Sequence, residues 1–423
     1  MITGDLLRSS HGLTFAAQFQ KIFVISLPTR PDHRDALTLA STKLGIDFEF
    51  IDAVTGDAYP DKGLPSGAEN FHGGARGEWR SQMNIMQRIV KENIASALIL
   101  EDDNDFDVRI KPQLSDFALA SRALTQPLVP ESNATTSSVY DDEDDNANEM
   151  DMRFDALPNT LPPHSSPYGD AWDVLWLGHC GIKRPWTSPF PAVFHYNDLT
   201  TVSKENQHTI ADSWYNEDLR LKPQHTRLYS FTADGSCTQA YAISLRGAQH
   251  YLYEYGVQEP VAPVDMQLRG FCSSEHTEDQ HVCVTVQPAL FSQYRGKGSS
   301  AKDSNIDDHS GEVRDKAYSL NLRLSARLNL LKLVDDRPVE EMEDQFPDDY
   351  AVVQEQGQEE DNGLQEGAEL EEDYASYEQL EGEEMTGESE KQEEETAGDL
   401  EEEDMSGDWE EEEMSGDLEE MDS

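Results

Sequence analysis

The run at 97–105, ALILEDDND, joins an apolar stretch directly to three consecutive carboxylates, Glu101, Asp102 and Asp103. Packing alone gives no reason for charges at the end of a buried strand. A buried charge costs several kcal/mol unless it is paired or metal-bound. In an open α/β sheet, ligands collect at the carboxyl ends of strands. Oxygen donors at such a point suit a hard divalent ion, Mn²⁺ or Mg²⁺, that bridges to phosphates. Strand alternation predicts Glu101 and Asp103 on one face and Asp102 on the other. The plain alternative is an acidic loop that caps the next helix. An EF-hand is excluded: counted from Asp103, Val108 stands where glycine is needed and Leu114 where glutamate is needed.

Other segments could serve the same chemistry. LPTRPDHR (27–34) places Arg30 and Arg34 after an apolar run, where guanidinium forks suit a diphosphate or simply start a helix. GGARGEWR (73–80) puts three glycines before a helix, either to receive an anion or as a flexible connection, and its spacing fits neither GxGxxG nor a P-loop. Asp265, in APVD, can be a general base, a ligand for a hydroxyl, or a helix N-cap. His179, His281 and His309 are each possible ligands, but no spacing singles one out. The four cysteines form no CxxC pair, which argues against a zinc ribbon or a thioredoxin site. Two disulfides and four free thiols both remain open.

The elements that must position these residues read as α/β. KIFVISL (21–27) is a buried strand stopped by proline, DALTLASTKLG a helix closed by Gly45, and FEFIDAV (48–54) a second strand. Strand, helix, strand in so short a span opens a parallel unit. A helix is predicted over 78–93, a central strand at 97–100, and a helix from about Val108 to just before Pro127. Strands follow at 173–178, 238–244 and 283–290, with a helix at 246–256. Residues 312–334 predict an amphipathic helix with Leu320, Leu324, Leu328 and Leu331 along one side.

Charge divides the 423 residues sharply. The net formal charge is −53, and residues 338–423 hold 38 acids against one base, Lys391. That tail carries a nine-residue repeat, TAGDLEEED, MSGDWEEEE, MSGDLEEMD, and reads as solvated and disordered. The expected organisation is an extension at 1–18, a domain at 19–336 with an acidic disordered insert at 128–170, and the tail at 337–423. Hydrophobic residues are 37% of the chain, below the ~45–50% of ordinary domains. A polytopic membrane protein is excluded, and a nucleic-acid partner is disfavoured by the acidity. No apolar run of ~18 residues is present and no signal peptide is readable.

The ordered pieces KIFVISLPTRPDHRDALTLA, FEFIDAVTG, GEWRSQMNIMQRIVKENIASALILEDD, DVLWLGHCG, AYAISLRGAQHYLYEYG, APVDMQLRGFC and VQPALFSQYR resemble glycosyltransferase family 25, nearest its fungal branch. The resemblance implies an α/β fold of GT-A type, a Rossmann-like mixed sheet flanked by helices. It implies a UDP-sugar donor, often UDP-galactose, a glycan or glycoprotein acceptor, a divalent metal (Mn²⁺ or Mg²⁺) and inversion at the anomeric carbon. In those terms Glu101 and Asp103 hold the metal, Arg30, Arg34 and Asp102 bind the donor, and Asp265 is the base. It also implies the secretory pathway. The sequence departs from the family pattern at Ser26, usually Asn, and at Gln82, usually His. A GT-A-like binding protein whose acidic tail engages basic partners is the reading from another class.

Overall fold

The continuous apolar run at 97–100 is explained by two faces. Leu98 and Leu100 enter one buried cluster with Ile22, Val24, Leu37 and Phe117, while Ala97 and Ile99 enter a second with Phe23, Met83, Tyr251 and Leu268. Because side chains alternate along a strand, helices on both sides leave no polar face. The computed structural model describes residues 19–65, 73–129, 150–185, 190–209, 217–258, 263–273, 281–300, 303, 311 and 313–348. The chain divides into Met1–Asp361 and Asn362–Ser423, and all described residues lie in the first unit. The extension at 1–18, His309 and the nine-residue repeats lie outside the described residues.

The chain runs β1 (Lys21–Ser26), α1 (Pro31–Leu44), β2 (Glu49–Asp52), α2 (Gly73–Glu92), β3 (Ser96–Glu101), β4 (Asn104–Phe106), α3 (Ile110–Thr125), β5 (Met152–Arg153), β6 (Val174–Gly178), β7 (Gly181–Lys183) and β8 (Ala192–His195). It continues through α4 (Glu217–Leu221), β9 (Arg227–Phe231), β10 (Asp234–Ser236), β11 (Ala240–Ser244), α5 (Leu245–Gly256), α6 (Val264–Cys272), β12 (Cys283–Gln287), β13 (Phe291–Arg295), β14 (Gly298–Ser299), β15 (Val313–Arg314), β16 (Tyr318–Ser319) and α7 (Leu330–Val334). The main sheet has nine strands in the order β2-β1-β3-β11-β6-β12-β9-β8-β5. β1, β2 and β3 run parallel, and β11 runs antiparallel between β3 and β6. The expected mixed sheet flanked by helices is therefore present. α1 and α3 cover one face, and α2, α5 and α6 the other.

Gly77 explains part of the glycine-rich helix start. A Cβ there would sit 2.3 Å from the Val54 carbonyl oxygen, so α2 packs directly on the chain leaving β2.

Three sequence expectations are corrected. The amphipathic helix at 312–334 is confined to Leu330–Val334. The preceding segment is a short strand, β16, paired with β13, followed by turns, because buried carboxylates claim its backbone. Leu324 N–H donates to Asp107, Arg327 N–H donates to Asp105, and Ala326 N–H pairs with the Phe106 carbonyl. The acidic insert is shorter than 128–170. Leu128 bridges to Thr160, β5 joins the main sheet, and buried Tyr168 stacks on Phe19 with ring centroids 4.6 Å apart. Residues 130–149 lie outside the described residues. The ordered body also passes the boundary at 336, since residues 338–348 pack back on it: Arg323 binds both Asp344 and Asp348, and Asn329 bonds the backbone of Glu343.

Candidate active site

Glu101 is the last residue of β3 and pairs in register with Ile25 of β1. The strand ends there, and Asp102 and Asp103 form a turn before β4. The three carboxylates take different partners. Glu101 Oε1 accepts from the Thr238 hydroxyl at 3.1 Å. Asp102 Oδ1 meets His33 Nδ1 at 2.9 Å. Asp103 Oδ2 accepts from the Gln293 amide, while its Oδ1 is buried with no hydrogen-bond partner among the described residues.

Electrostatics show the crowding. Burial pushes the Glu101 carboxyl well above its ordinary range, and the nearby charges of Asp103 and Glu78 push it further. Burial also raises Asp103, against the opposing hydrogen bond from Gln293. A buried, unpartnered carboxylate oxygen beside a second crowded acid fits a hard cation. Such an ion needs only one or two protein carboxylates when water and phosphate complete its shell.

Asp265 stands in the first turn of α6, after Pro263 at the N-cap, so its side chain is not the cap. Its Oδ2 accepts from Cys237 N–H at 3.4 Å and its Oδ1 from Met266 N–H at 2.8 Å. Cys237 and Thr238 are adjacent, so a single dipeptide serves both Asp265 and Glu101. That dipeptide is anchored three ways: Cys237 is disulfide-bonded to Cys180, its carbonyl accepts from Trp176 Nε1 at 2.9 Å, and its φ of +62° lies in the left-handed region. A non-glycine residue adopts that region only where its surroundings enforce it. Asp265 and Glu101 are thus linked through one dipeptide.

The two arginines behave differently from each other. Arg30 donates twice to Asp32, at 3.1 Å each, and donates to His33, giving a chain Arg30–His33–Asp102. Arg34 engages Ser26 at 2.9 and 2.8 Å and Asp52 at 2.6 Å, clamping the end of β1 to β2 instead of turning to the carboxylates. Gln82 is buried on α2, and its Oε1 accepts from the Tyr241 hydroxyl at 2.6 Å.

Sequence reasoning missed four supporting residues. His33 lies between the two singled-out arginines, and its position three residues after Arg30 on a helix start was the available signal. Thr238 and Gln293 carried none, since their partners are more than a hundred residues away. Arg327 is buried, donates to the Asp102 carbonyl and lies over the Tyr294 ring with 5.2 Å to its centroid. Asp105 and Asp107, which extend the acidic run, are structural. Asp105 accepts from the Ser319 hydroxyl at 2.6 Å and Asp107 from Arg109 at 2.8 Å.

The family model "Glycosyltransferase family 25 (LPS biosynthesis protein)" matches residues 19–156, the stretch holding Arg30, His33 and Glu101–Asp103. The chain is 30% identical over 109 residues to procollagen galactosyltransferase 1-A of Xenopus laevis, covering 23% of this chain and 18% of that protein. It is 31% identical over 111 residues to procollagen galactosyltransferase 1 of Danio rerio, with the same 23% and 18% coverage. It is 28% identical over 109 residues to inactive glycosyltransferase 25 family member 3 of Homo sapiens, again covering 23% and 18%. The match thus spans 18% of the length of each of these relatives. The resemblance to family 25 read from the sequence is borne out over residues 19–156. Asp265 lies outside the stretch matched by the family model.

Proposed function

We propose that this chain is a family 25 glycosyltransferase of GT-A type, moving galactose from a UDP-sugar to a hydroxyl of a glycan or protein with inversion, and using a divalent ion, Mn²⁺ or Mg²⁺, at Glu101 and Asp103. The observation that carries this reading is the end of β3 inside the family-matched stretch, where Asp103 presents a buried carboxylate oxygen without a partner among the described residues. The sugar follows the printed names of two relatives, which are galactosyltransferases.

In the proposed reaction Asp265 accepts the proton of the acceptor hydroxyl, whose oxygen forms the new bond to the anomeric carbon as the bond to UDP breaks on the opposite face. The hydrogen bonds from Cys237 and Met266 fix the carboxylate for that transfer. Thr238 and Gln293 orient Glu101 and Asp103. A bound divalent ion supplies neutralisation of charge on the leaving diphosphate. Asp102, held by His33, takes the donor ribose, and Arg30 lies beside the diphosphate. Arg34 contributes by fixing the strand ends. The two disulfides, Cys180–Cys237 and Cys272–Cys283, support an oxidising compartment such as the secretory lumen.

The test is UDP release from a panel of UDP-sugars with Mn²⁺. Release from one donor, lost in EDTA and in Asp103→Ala, supports the reading. Equal UDP affinity with EDTA and with Mn²⁺ overturns the metal assignment. UDP binding without release from any donor favours a binding protein whose acidic tail engages basic partners. Gln82, standing where the family usually has histidine, and the similarity to an inactive relative favour that second reading.

A further inference from the structure

Away from the carboxylate triplet, α5 carries His250 and Glu254 one turn apart on one face, and His281 approaches them from the segment leading into β12. Among the described residues this is the group of three metal-ligating side chains whose donor atoms all lie within 4.8 Å of one another. His281 Nε2 stands 2.9 Å from Glu254 Oε1. The His250 and His281 rings meet edge to face at 5.3 Å. A tetrahedral site with bonds of ~2.0–2.1 Å needs donor separations of ~3.3 Å, within reach of small rotations here.

An ion pair between His281 and Glu254 accounts for two of the three residues and leaves His250 unexplained. The setting of His281 goes further. Its imidazole stacks on Phe271 at 3.6 Å and 8°, and the next residue after Phe271, Cys272, is disulfide-bonded to Cys283, two residues beyond His281. The stacked Phe271 ring holds one face of the imidazole, and the disulfide ties the chain around His281 to α6. His281 is largely buried, Glu254 is half-buried and His250 is exposed, so the three donors converge near the surface of the described residues. Two imidazoles and one carboxylate form a borderline donor set that suits zinc better than magnesium or calcium.

We propose that His250, Glu254 and His281 bind a Zn²⁺ ion that staples α5 to the start of β12. This site is separate from the donor-site ion. Asp265 stands in the first turn of α6 and Phe271 lies six residues on, a rise of ~9 Å along the helix.

The experiment titrates Zn²⁺ into the full chain against a chromophoric chelator, comparing wild type with His250→Gln. His250 is exposed, so this variant leaves the packing intact. Wild type should hold one more tight equivalent than His250→Gln, and its Tm should rise by several degrees with Zn²⁺ while that of the variant does not. His281→Gln should lose the same equivalent. Mn²⁺-supported UDP binding should be equal in wild type and His250→Gln, which separates this site from the donor site. Equal zinc stoichiometry in wild type and His250→Gln overturns the proposal, as does a zinc-dependent rise in Tm that survives in the variant.

Discussion

At the residue scale, the site depends on polar side chains being aimed by neighbours remote in sequence. Asp265 is held by Cys237 N–H, and Glu101 by the hydroxyl of the next residue, Thr238. Asp265→Asn preserves shape and keeps one acceptor oxygen for the two backbone N–H groups, but removes basicity. The transfer rate should therefore fall by ~10²–10⁴ with donor affinity unchanged. A full pH–rate profile and a UDP-binding titration on the same variant check this, and an unchanged rate would reassign Asp265 to positioning the acceptor. The residue types at this site were legible in the sequence, because a carboxylate triplet following ALIL has no packing explanation. Their partners were not legible. Thr238, Gln293 and Arg327 reach the triplet only through strand pairing and a return of the chain near its C-terminal end.

At the element scale, α1, α2, α5 and the buried strands were readable because each has one period and one burial pattern. The region 312–329 was not, because its leucine spacing imitates a helix while Asp105 and Asp107 take its backbone N–H groups. Two further predictions belong to element contacts. The first concerns the Cys180–Cys237 bridge, which ties β7 to the dipeptide serving Asp265 and Glu101. Replacing both cysteines by serine should lower transfer by ~10²-fold through misplacement of these groups. The circular dichroism spectrum should stay native, and an unchanged rate would show that Trp176 alone holds the dipeptide. The second concerns buried Asp198, which accepts from Arg227 of β9 and from Thr200. Burial pushes its carboxyl up, but Arg227 and the Thr200 bonds outweigh that and bring it down to about 2. A folded pKa below the unfolded value of ~3.9 gives stability that is complete above about pH 4 and is lost as pH falls toward 2. Asp198→Asn strands the Arg227 charge, at a cost of ~3–5 kcal/mol near neutral pH. Urea unfolding should show the gap between wild type and variant narrowing from pH 5 to pH 2. A constant gap would remove Asp198 from the acid response.

At the scale of the whole molecule, the change in composition at Pro338 marks a change in charge and does not coincide with the edge of the packed body. Arg323, nearly buried, is neutralised by Asp344 and Asp348, and His225 also reaches Asp348. Gln345 donates to the Ser319 and Leu322 carbonyls, and Met342 packs against the larger buried cluster. The first acids after Arg337 therefore hold the 319–329 segment, which in turn holds Asp105 and the Asp102 carbonyl beneath the candidate site. Two truncations separate solvated charge from packed charge. A chain ending at Arg337 loses both carboxylates of Arg323 and the segment that packs over residues 319–329. Its Tm should drop by several degrees, and Mn²⁺-linked UDP affinity should fall with it, because Arg327 and Ser319 lose their support. A chain ending at Asp348 keeps every one of these bonds. It should match the full chain in Tm and, at physiological salt, in UDP affinity, since a Debye length of ~8 Å screens the acids that follow. Thermal unfolding and UDP titration of the two chains decide the matter. If both retain full-length stability, residues 338–348 contribute nothing to the fold. If UDP affinity rises sharply at low salt only after the cut at Asp348, the remaining acids compete with the donor for the Arg30 edge.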